Sequence, residues 1–244
     1  QRKFDVTLME KEDRLGGQMY LSSLPPHRGK MGNFIKYAEK QLKDLGVDIR
    51  LNTEASAEAI KAMNPYAVFV CTGSVAVLPK SIPGIDGDNV YVASDILTEK
   101  VKLIGKKIVV AGGGLTGMET AEFLQVKGNE VTDIDMLPGL GLGAFPLVVM
   151  DETSRVAQSG VCAMPGHKLA EIHADHVVLE DTAGYQVTLP CDAVIMCLGV
   201  RPVNQLGEEL TGVEHVYMLG DAKKSGRRVT NAIHEAFEVA YNLM

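Results

Sequence analysis

Apolar residues in this chain fall into short unbroken runs that end at a glycine, separated by segments with helical spacing. The first apolar run, Phe4 to Met9, ends at Glu10 and reads as a strand. Lys11 to Pro26 reads as loop and contains Leu15-Gly16-Gly17-Gln18. From Gly32 to Leu45, apolar residues at Phe34, Ile35, Ala38, Leu42 and Leu45 predict a helix, with Gly46 as its stop signal. Val47 to Leu51 reads as a strand and Ala57 to Met63 as a short helix. Ala67 to Cys71 is apolar throughout, as in a parallel strand buried on both faces, and it ends at Thr72-Gly73. Pro79 to Asp88, rich in turn residues, reads as a connection between domains.

A second cycle follows: strand 107–111, helix 117–127, strand 130–135, and a Gly/Pro loop at 138–143. Helical character over Asp151 to Ser159 precedes an alternating β segment, 161–190, and an apolar strand, Ala193 to Leu198, that ends at Gly199. Phe69-Val70-Cys71-Thr72-Gly73 recurs in kind as Ile195-Met196-Cys197-Leu198-Gly199, which suggests two related nucleotide-binding modules. Val216 to Leu219 reads as a strand, followed by Gly220-Asp221, a polar loop and a helix from about Thr230, a natural return to the first module. The pattern is α/β, with two Rossmann-like domains: a discontinuous one over 1–103 and 213–244, and a second over 104–212.

The strongest chemical signal lies at the junction of strand 107–111 and its helix. Gly112, Gly114 and Gly117 have the G-x-G-x-x-G spacing of a dinucleotide site, where they provide the tight turn, the close approach to pyrophosphate and the close helix–strand contact. The N–H groups of the following helix face the phosphates, so an anion is held without a basic side chain. The next strand ends at Asp135, where such units bind the adenosine ribose; an acid there repels a 2′-phosphate and favours NADH over NADPH.

Composition narrows the class. The chain has 244 residues, 46% of them hydrophobic and 23% charged, with a net charge of −7. That charge argues against a general nucleic-acid binder, no apolar run reaches the length of a membrane span, and Gln1-Arg2-Lys3-Phe4 shows no secretory h-region, so a cytoplasmic chain is expected. Cys71, Cys162, Cys191 and Cys197 form no C-x-x-C, which argues against a dithiol centre or zinc ribbon, and they read as small buried hydrophobes. His173 and His176 have the look of a metal pair, but in a hairpin they are expected on different faces, so no metal site is expected.

Several segments carry a family resemblance: Val6-Thr7-Leu8-Met9-Glu10-Lys11, Leu15-Gly16-Gly17-Gln18, Cys71-Thr72-Gly73, the Gly112 motif, Gly199-Val200-Arg201-Pro202-Val203-Asn204 and Leu219-Gly220-Asp221-Ala222. In this order, over essentially the whole chain, they resemble the C-terminal flavin- and pyridine-nucleotide-binding region of NADH:flavin oxidoreductases of the 2,4-dienoyl-CoA reductase and 2-enoate reductase type. The resemblance implies the two-dinucleotide-domain flavoprotein architecture, with the first domain N-terminally truncated: the family's first strand and Gly-rich loop have no counterpart here. It also implies that the family's N-terminal barrel, with FMN and an iron–sulfur cluster, lies outside this chain.

The resemblance assigns roles residue by residue. Glu10 would hold the FAD ribose, Gly17 and Gln18 would line the flavin-side loop, and Thr72 and Gly73 would pass close to the nucleotide. Gly220 and Asp221 would hold the ribityl chain or phosphate, with Ala232 and Ile233 facing the flavin ring. Glu119 would lie near the nicotinamide, and Gly199 and Arg201 would close over it. Each position has a plainer reading: a charged strand end for Glu10, turns for Gly17, Gln18, Thr72, Gly73, Gly220 and Asp221, a surface helix position for Glu119, and a solvated charge for Arg201. The implied chemistry is hydride transfer from NADH to FAD, feeding a partner domain that reduces an activated C=C bond; the cofactors carry the reaction, so no catalytic triad is required. FAD is expected to be weak or absent in this chain, and a tendency to self-associate is expected. The other reading is a non-catalytic nucleotide-binding module serving structure and assembly.

Overall fold

The computed structural model describes residues 4–226 and 228–243. It divides into two compact units, unit 1 (1–23, 28–75 and 200–244) and unit 2 (24–27 and 76–199). In chain order the elements up to the first boundary are β1 (Thr7–Met9), α1 (Gly17–Leu21), α2 (Met31–Asp44), β2 (Asp48–Arg50), α3 (Ala57–Ala62), β3 (Val68–Val70) and β4 (Ser74–Ala76). Then follow β5 (Val90–Val92), α4 (Ala93–Leu97), β6 (Lys107–Ala111), α5 (Leu115–Val126), β7 (Glu130–Asp135), α6 (Pro146–Ser159), β8 (Cys162–Pro165), β9 (His167–Ile172), β10 (His176–Asp181), β11 (Gln186–Pro190) and β12 (Ala193–Met196). The chain closes with β13 (Val200–Pro202), α7 (Gln205–Glu209), β14 (Val216–Met218), a 3-10 turn (Gly220–Ala222) and α8 (Val229–Asn242). No helix among the described residues is long and apolar enough to cross a membrane.

Unit 2 is organised on a five-stranded sheet in the order β5-β12-β6-β7-β8, with every pairing parallel. The apolar runs explain it: β12 is buried at all four positions, as a central parallel strand covered on both faces must be. One face packs on α5 and α6 through Ile108, Val110, Met118, Ala121, Val131 and Ile195. The other packs on the antiparallel sheet β11-β10-β9 through Val109, Ile134, Leu169, Val177, Leu179 and Met196. Arg155 on α6 bridges Glu122 on α5 at 3.0 Å and Glu152 one turn before it at 2.5 Å, balancing charge where both acids are buried.

Unit 1 is paired differently. β1 pairs with β2 and β14 with β3, both parallel, as separate two-stranded sheets. Its buried cluster is small: Ile60, Val70 and Leu210. On α8, the face bearing Ala232 meets Gly220, while Val229, Ile233, Phe237 and Tyr241, spaced one turn apart, are exposed.

Several sequence expectations are corrected. The loop expected over Lys11 to Pro26 contains helix α1, which Gly16, with φ +122, initiates. α6 begins at Pro146, well before Asp151, because proline suits the first helical position. Pro79 to Asp88 is not a free connection: Ile82 and Ile85 lie in the core of unit 2, and the Ile172 N–H donates to the Pro83 carbonyl. The unit boundaries accordingly fall at 75/76 and 199/200 rather than 103/104 and 212/213, since β5 is an edge of the unit 2 sheet. Cys191 is buried, but Cys71 and Cys162 are exposed. His173 and His176 do share a face: their rings stack at 4.3 Å and 10°, because residues that face each other across a two-residue turn project to the same side. Their ring nitrogens engage Glu171 and Asp175, and no cluster of three or more metal-ligating side chains exists among the described residues.

Candidate functional site

The glycine loop of unit 2 follows directly from the parallel sheet. β6 delivers the chain to Gly112, whose φ of +115 turns it toward α5. A Cβ on Gly112 would lie 2.5 Å from the Cys197 carbonyl oxygen, and one on Gly117 would lie 1.8 Å from the Gly112 carbonyl oxygen. Both glycines are therefore demanded by the protein's own packing. Gly114 differs: it is the N-cap of α5, and a Cβ there meets nothing within 4 Å. No side chain caps α5, and no acid stands in its first turn. Gly114 thus stands in open space at the start of a twelve-residue helix whose N-terminus no side chain caps, an arrangement suited to a phosphate.

Asp135, at the end of β7, is bound to this loop. Its Oδ2 accepts the Gly113 N–H at 2.8 Å and its Oδ1 accepts the Leu137 N–H at 2.8 Å. Each oxygen keeps a lone pair for a further donor, such as a ribose hydroxyl. The Gly141 N–H donates to the Gly113 carbonyl at 2.7 Å, so segment 137–141 folds over the loop. Glu119 is half-buried on α5. Gly199, with φ +94, ends the run after β12, and its carbonyl accepts the Val77 N–H. Arg201 lies exposed on β13 and belongs to unit 1 rather than to the Gly112 unit.

In unit 1, the Glu10 carboxylate accepts the Glu12 N–H at 2.9 Å, while its backbone binds Arg50 and Thr53. Gly17, with φ +48, and Gln18 are exposed at the start of α1. A second group is contiguous. The Thr72 hydroxyl donates to the Val203 carbonyl, the Val203 N–H donates to the Gly73 carbonyl, and the Ser74 hydroxyl donates to Asp221 Oδ2 at 3.2 Å. Gly220 packs against Ala232, while Ile233 is exposed. The Gly220 N–H donates to Glu235 Oε2 at 3.1 Å, so a carboxylate of the protein itself sits at the N–H that opens this turn. Glu235 went unnoticed in the sequence because an acid on a helix face carries no signal of its partner. No Gly-rich strand-to-helix loop like 112–117 exists among the described residues of unit 1.

One further group beneath the Gly112 loop, Asp133, also escaped the sequence reading, and it neighbours Cys197, read from the sequence as a small buried hydrophobe. Asp133 on β7 is fully buried, and neither carboxylate oxygen has a hydrogen-bond partner. Burial, reinforced by Asp135, pushes its carboxyl up to about 7. Burial, reinforced by Asp133, pushes the Cys197 thiol up to about 12, so it is a packing group and no nucleophile. The available signal was alternation: Asp133 shares a strand face with Val131, which lies in the core against α5.

Comparison with known proteins shows the family. Residues 1–236 match the family model for pyridine nucleotide-disulphide oxidoreductase. The chain is 34% identical to an NADH oxidase of Thermoanaerobacter brockii, over 99% of this chain and 38% of that protein. It is 35% identical to a bilirubin reductase of Mediterraneibacter gnavus, over 97% of this chain and 36% of that protein. A solved 2-naphthoyl-CoA reductase in complex with 2-naphthoyl-CoA superposes with a TM-score of 0.93 at 31% identity, covering 99% of this chain and 36% of that one. The chain thus spans little more than a third of the length of these relatives. Its fold is that of the two-dinucleotide-domain flavoproteins, and it matches the FAD- and NADH-binding region of 2,4-dienoyl-CoA reductase-like enzymes. The chain belongs to the pyridine nucleotide-disulphide oxidoreductase family.

Proposed function

We propose that this chain carries out NADH-dependent flavin reduction and hands the electrons to a partner domain that reduces an activated C=C bond. The observation that carries the reading is the uncapped N-terminus of α5 at Gly114, with open space before it and Asp135 fixed beside it. Gly114 to Thr116 would bind the pyrophosphate through backbone N–H groups, Asp135 would accept from the ribose hydroxyls, and Glu119 with Gly199 would position the nicotinamide. In unit 1, Glu10, Gly17, Gln18, Thr72, Gly73, Gly220, Asp221 and Ala232 would border FAD. When bound, the nicotinamide supplies a hydride and the flavin accepts it. The chain's own work is to bind, orient and shield from water. Relatives named bilirubin reductase and 2-naphthoyl-CoA reductase support delivery of these electrons to a reductase. By the family resemblance, that partner is a barrel domain carrying FMN and an iron–sulfur cluster.

A second reading, a nucleotide-binding module without catalysis, has one observation in its favour: Glu235 holds the Gly220 N–H that a flavin phosphate would otherwise take. Anaerobic mixing with NADH and FAD separates the two. Bleaching of the flavin absorbance by one equivalent of NADH, abolished in Gly114→Ala, supports electron transfer. A protein that binds both nucleotides and leaves the flavin oxidised overturns it.

A further inference from the structure

We propose that Asp133 is a proton-linked positioning residue for the dinucleotide loop: its neutral form leaves the loop receptive to an anion, and its ionised form weakens dinucleotide binding. The proposal rests on reading Gly112–Gly117 as the nucleotide loop.

A carboxyl group buried without a hydrogen-bond partner is costly, and more so when ionised. Asp133 has no exposed surface, and both its oxygens lack partners, so it contributes nothing visible to the fold. Its place ties it to the loop. Two residues along the same strand face, Asp135 holds the Gly113 N–H. The other neighbour with which it interacts is Cys197, whose carbonyl limits Gly112 and whose Cβ would stand 3.6 Å from a Cβ on Gly117. Asp133 therefore interacts with both groups that fix the loop, Asp135 and Cys197.

The facing groups leave its charge uncompensated. β6 presents Val110 and α5 presents Met118 and Ala121, all apolar, with the Thr120 hydroxyl bonded to the Thr116 carbonyl. The one cation on the helices covering this face that is paired with buried acids, Arg155, serves Glu122 and Glu152. Asp135 and Cys197 can only add negative charge. A carboxyl in this setting titrates near neutrality, where a change of charge is consequential.

A dinucleotide brings two phosphate charges to the N-terminus of α5, on the far side of the same loop. Like charges repel through the low-dielectric base of the loop, so the ionised form of Asp133 opposes binding and the bound nucleotide favours its protonation by the same factor. With the phosphates themselves in solvent, so that the screening at about 10 Å is close to that of water, this repulsion amounts to roughly a three- to tenfold change in affinity. Nucleotide binding should accordingly take up protons near pH 7 and weaken as the pH rises through it.

The test is NADH titration of the wild type and Asp133→Asn at pH about 6, 7 and 8, with calorimetry in two buffers of different ionisation enthalpy to count protons. The wild type should lose about three- to tenfold in affinity across this range and take up a proton fraction that peaks near the middle. Asp133→Asn, which keeps the shape of the neutral form, should bind at every pH as the wild type does at the lowest. A purely structural role for Asp133 would shift affinity in the variant without removing the pH slope. If both proteins bind NADH with the same pH slope, the linkage is wrong and the loop assignment stands. If neither binds NADH at any pH, the loop assignment itself is wrong and the linkage falls with it. Asp133→Val, apolar as this strand face otherwise is, repeats the test should Asp133→Asn not fold. Should neither fold, the wild-type calorimetry decides: proton uptake near pH 7 on NADH binding supports the linkage, and its absence overturns it.

Discussion

The two units use the same sequence of strand, glycine turn and helix, yet their strands are supported very differently. In unit 2, β6 and β12 are flanked by strands on both sides and by packed layers on both faces, and the Gly112 loop leaves from the centre of that sheet. In unit 1, β1 and β3 each have one partner, and large apolar side chains such as Phe34, Tyr37, Phe237 and Tyr241 remain exposed. Two-stranded parallel sheets have little stability of their own, and parallel strands are normally covered on both faces. The lesson is that a nucleotide loop is only as well positioned as the sheet behind it. Unit 2 presents a helix N-terminus at Gly114 that no side chain caps; unit 1 presents a turn, Gly220-Asp221, whose N–H is bound by Glu235.

The contrast is tested most severely at glycine. Gly117→Val drives a side chain into the Gly112 carbonyl, 1.8 Å from the Cβ position, and is expected to unfold unit 2 at a cost of more than about 4 kcal/mol. Gly17→Ala in unit 1 meets only the penalty of its left-handed backbone, about 1 kcal/mol, since its surroundings are open. Chemical denaturation of both variants checks this, and equal costs would erase the distinction.

The next effect is one of pH. The folded Asp133 carboxyl titrates at about 7 against 3.8 for the free side chain, so the native state holds a proton that the unfolded chain releases between these values. The contribution of Asp133 to stability is therefore full below pH about 4 and declines as the pH rises to about 7, after which it is flat. Asp133→Asn should remove this decline and exceed the wild type by about 2–4 kcal/mol at pH about 8, read from denaturation midpoints of unit 2. Identical pH dependence in the two proteins would place Asp133 in contact with water.

Nucleotide affinity sharpens the comparison further. Gly114→Ala should keep the fold, because nothing of the protein lies within 4 Å, and should weaken NADH binding at least about tenfold because the methyl occupies phosphate space. Normal NADH binding by this variant would remove the pyrophosphate from the α5 N-terminus. The smallest effect is discrimination between cofactors. Asp135 should favour NADH over NADPH by about tenfold, or about 1.4 kcal/mol, and equal affinities in parallel titrations would contradict its placement at the ribose.

Much of this was legible in the chain because the relevant signals are local. The Gly112 loop, β6 and β12 follow from apolar runs with a glycine at their end, and the two-domain α/β class follows from their repetition. What escaped was decided by tertiary contact. Ile82 and Ile85 sit among turn residues, and only their packing against the β9–β11 sheet shows that they are core. His173 and His176 stack because a two-residue turn sets them opposite one another, a register the sequence does not state. Asp133 and Glu235 read as ordinary acids; burial of one and the Gly220 N–H bound by the other are properties of neighbours distant in sequence. In unit 1, the resemblance named positions, and the structure joins Thr72, Gly73, Asp221 and Ala232 into one contiguous group through Val203, Ser74 and Gly220.

The central proposal is that unit 2 binds NADH at the Gly112 loop while Glu235, holding the Gly220 N–H, weakens the hold of unit 1 on FAD. Purification of the 244-residue chain, followed by a flavin spectrum and an NADH titration on the same sample, tests it directly. The account predicts a nearly colourless protein that binds NADH saturably at one site per chain, and loses that binding in Gly114→Ala. A protein that retains one tightly held FAD per chain and shows no saturable NADH binding would contradict it.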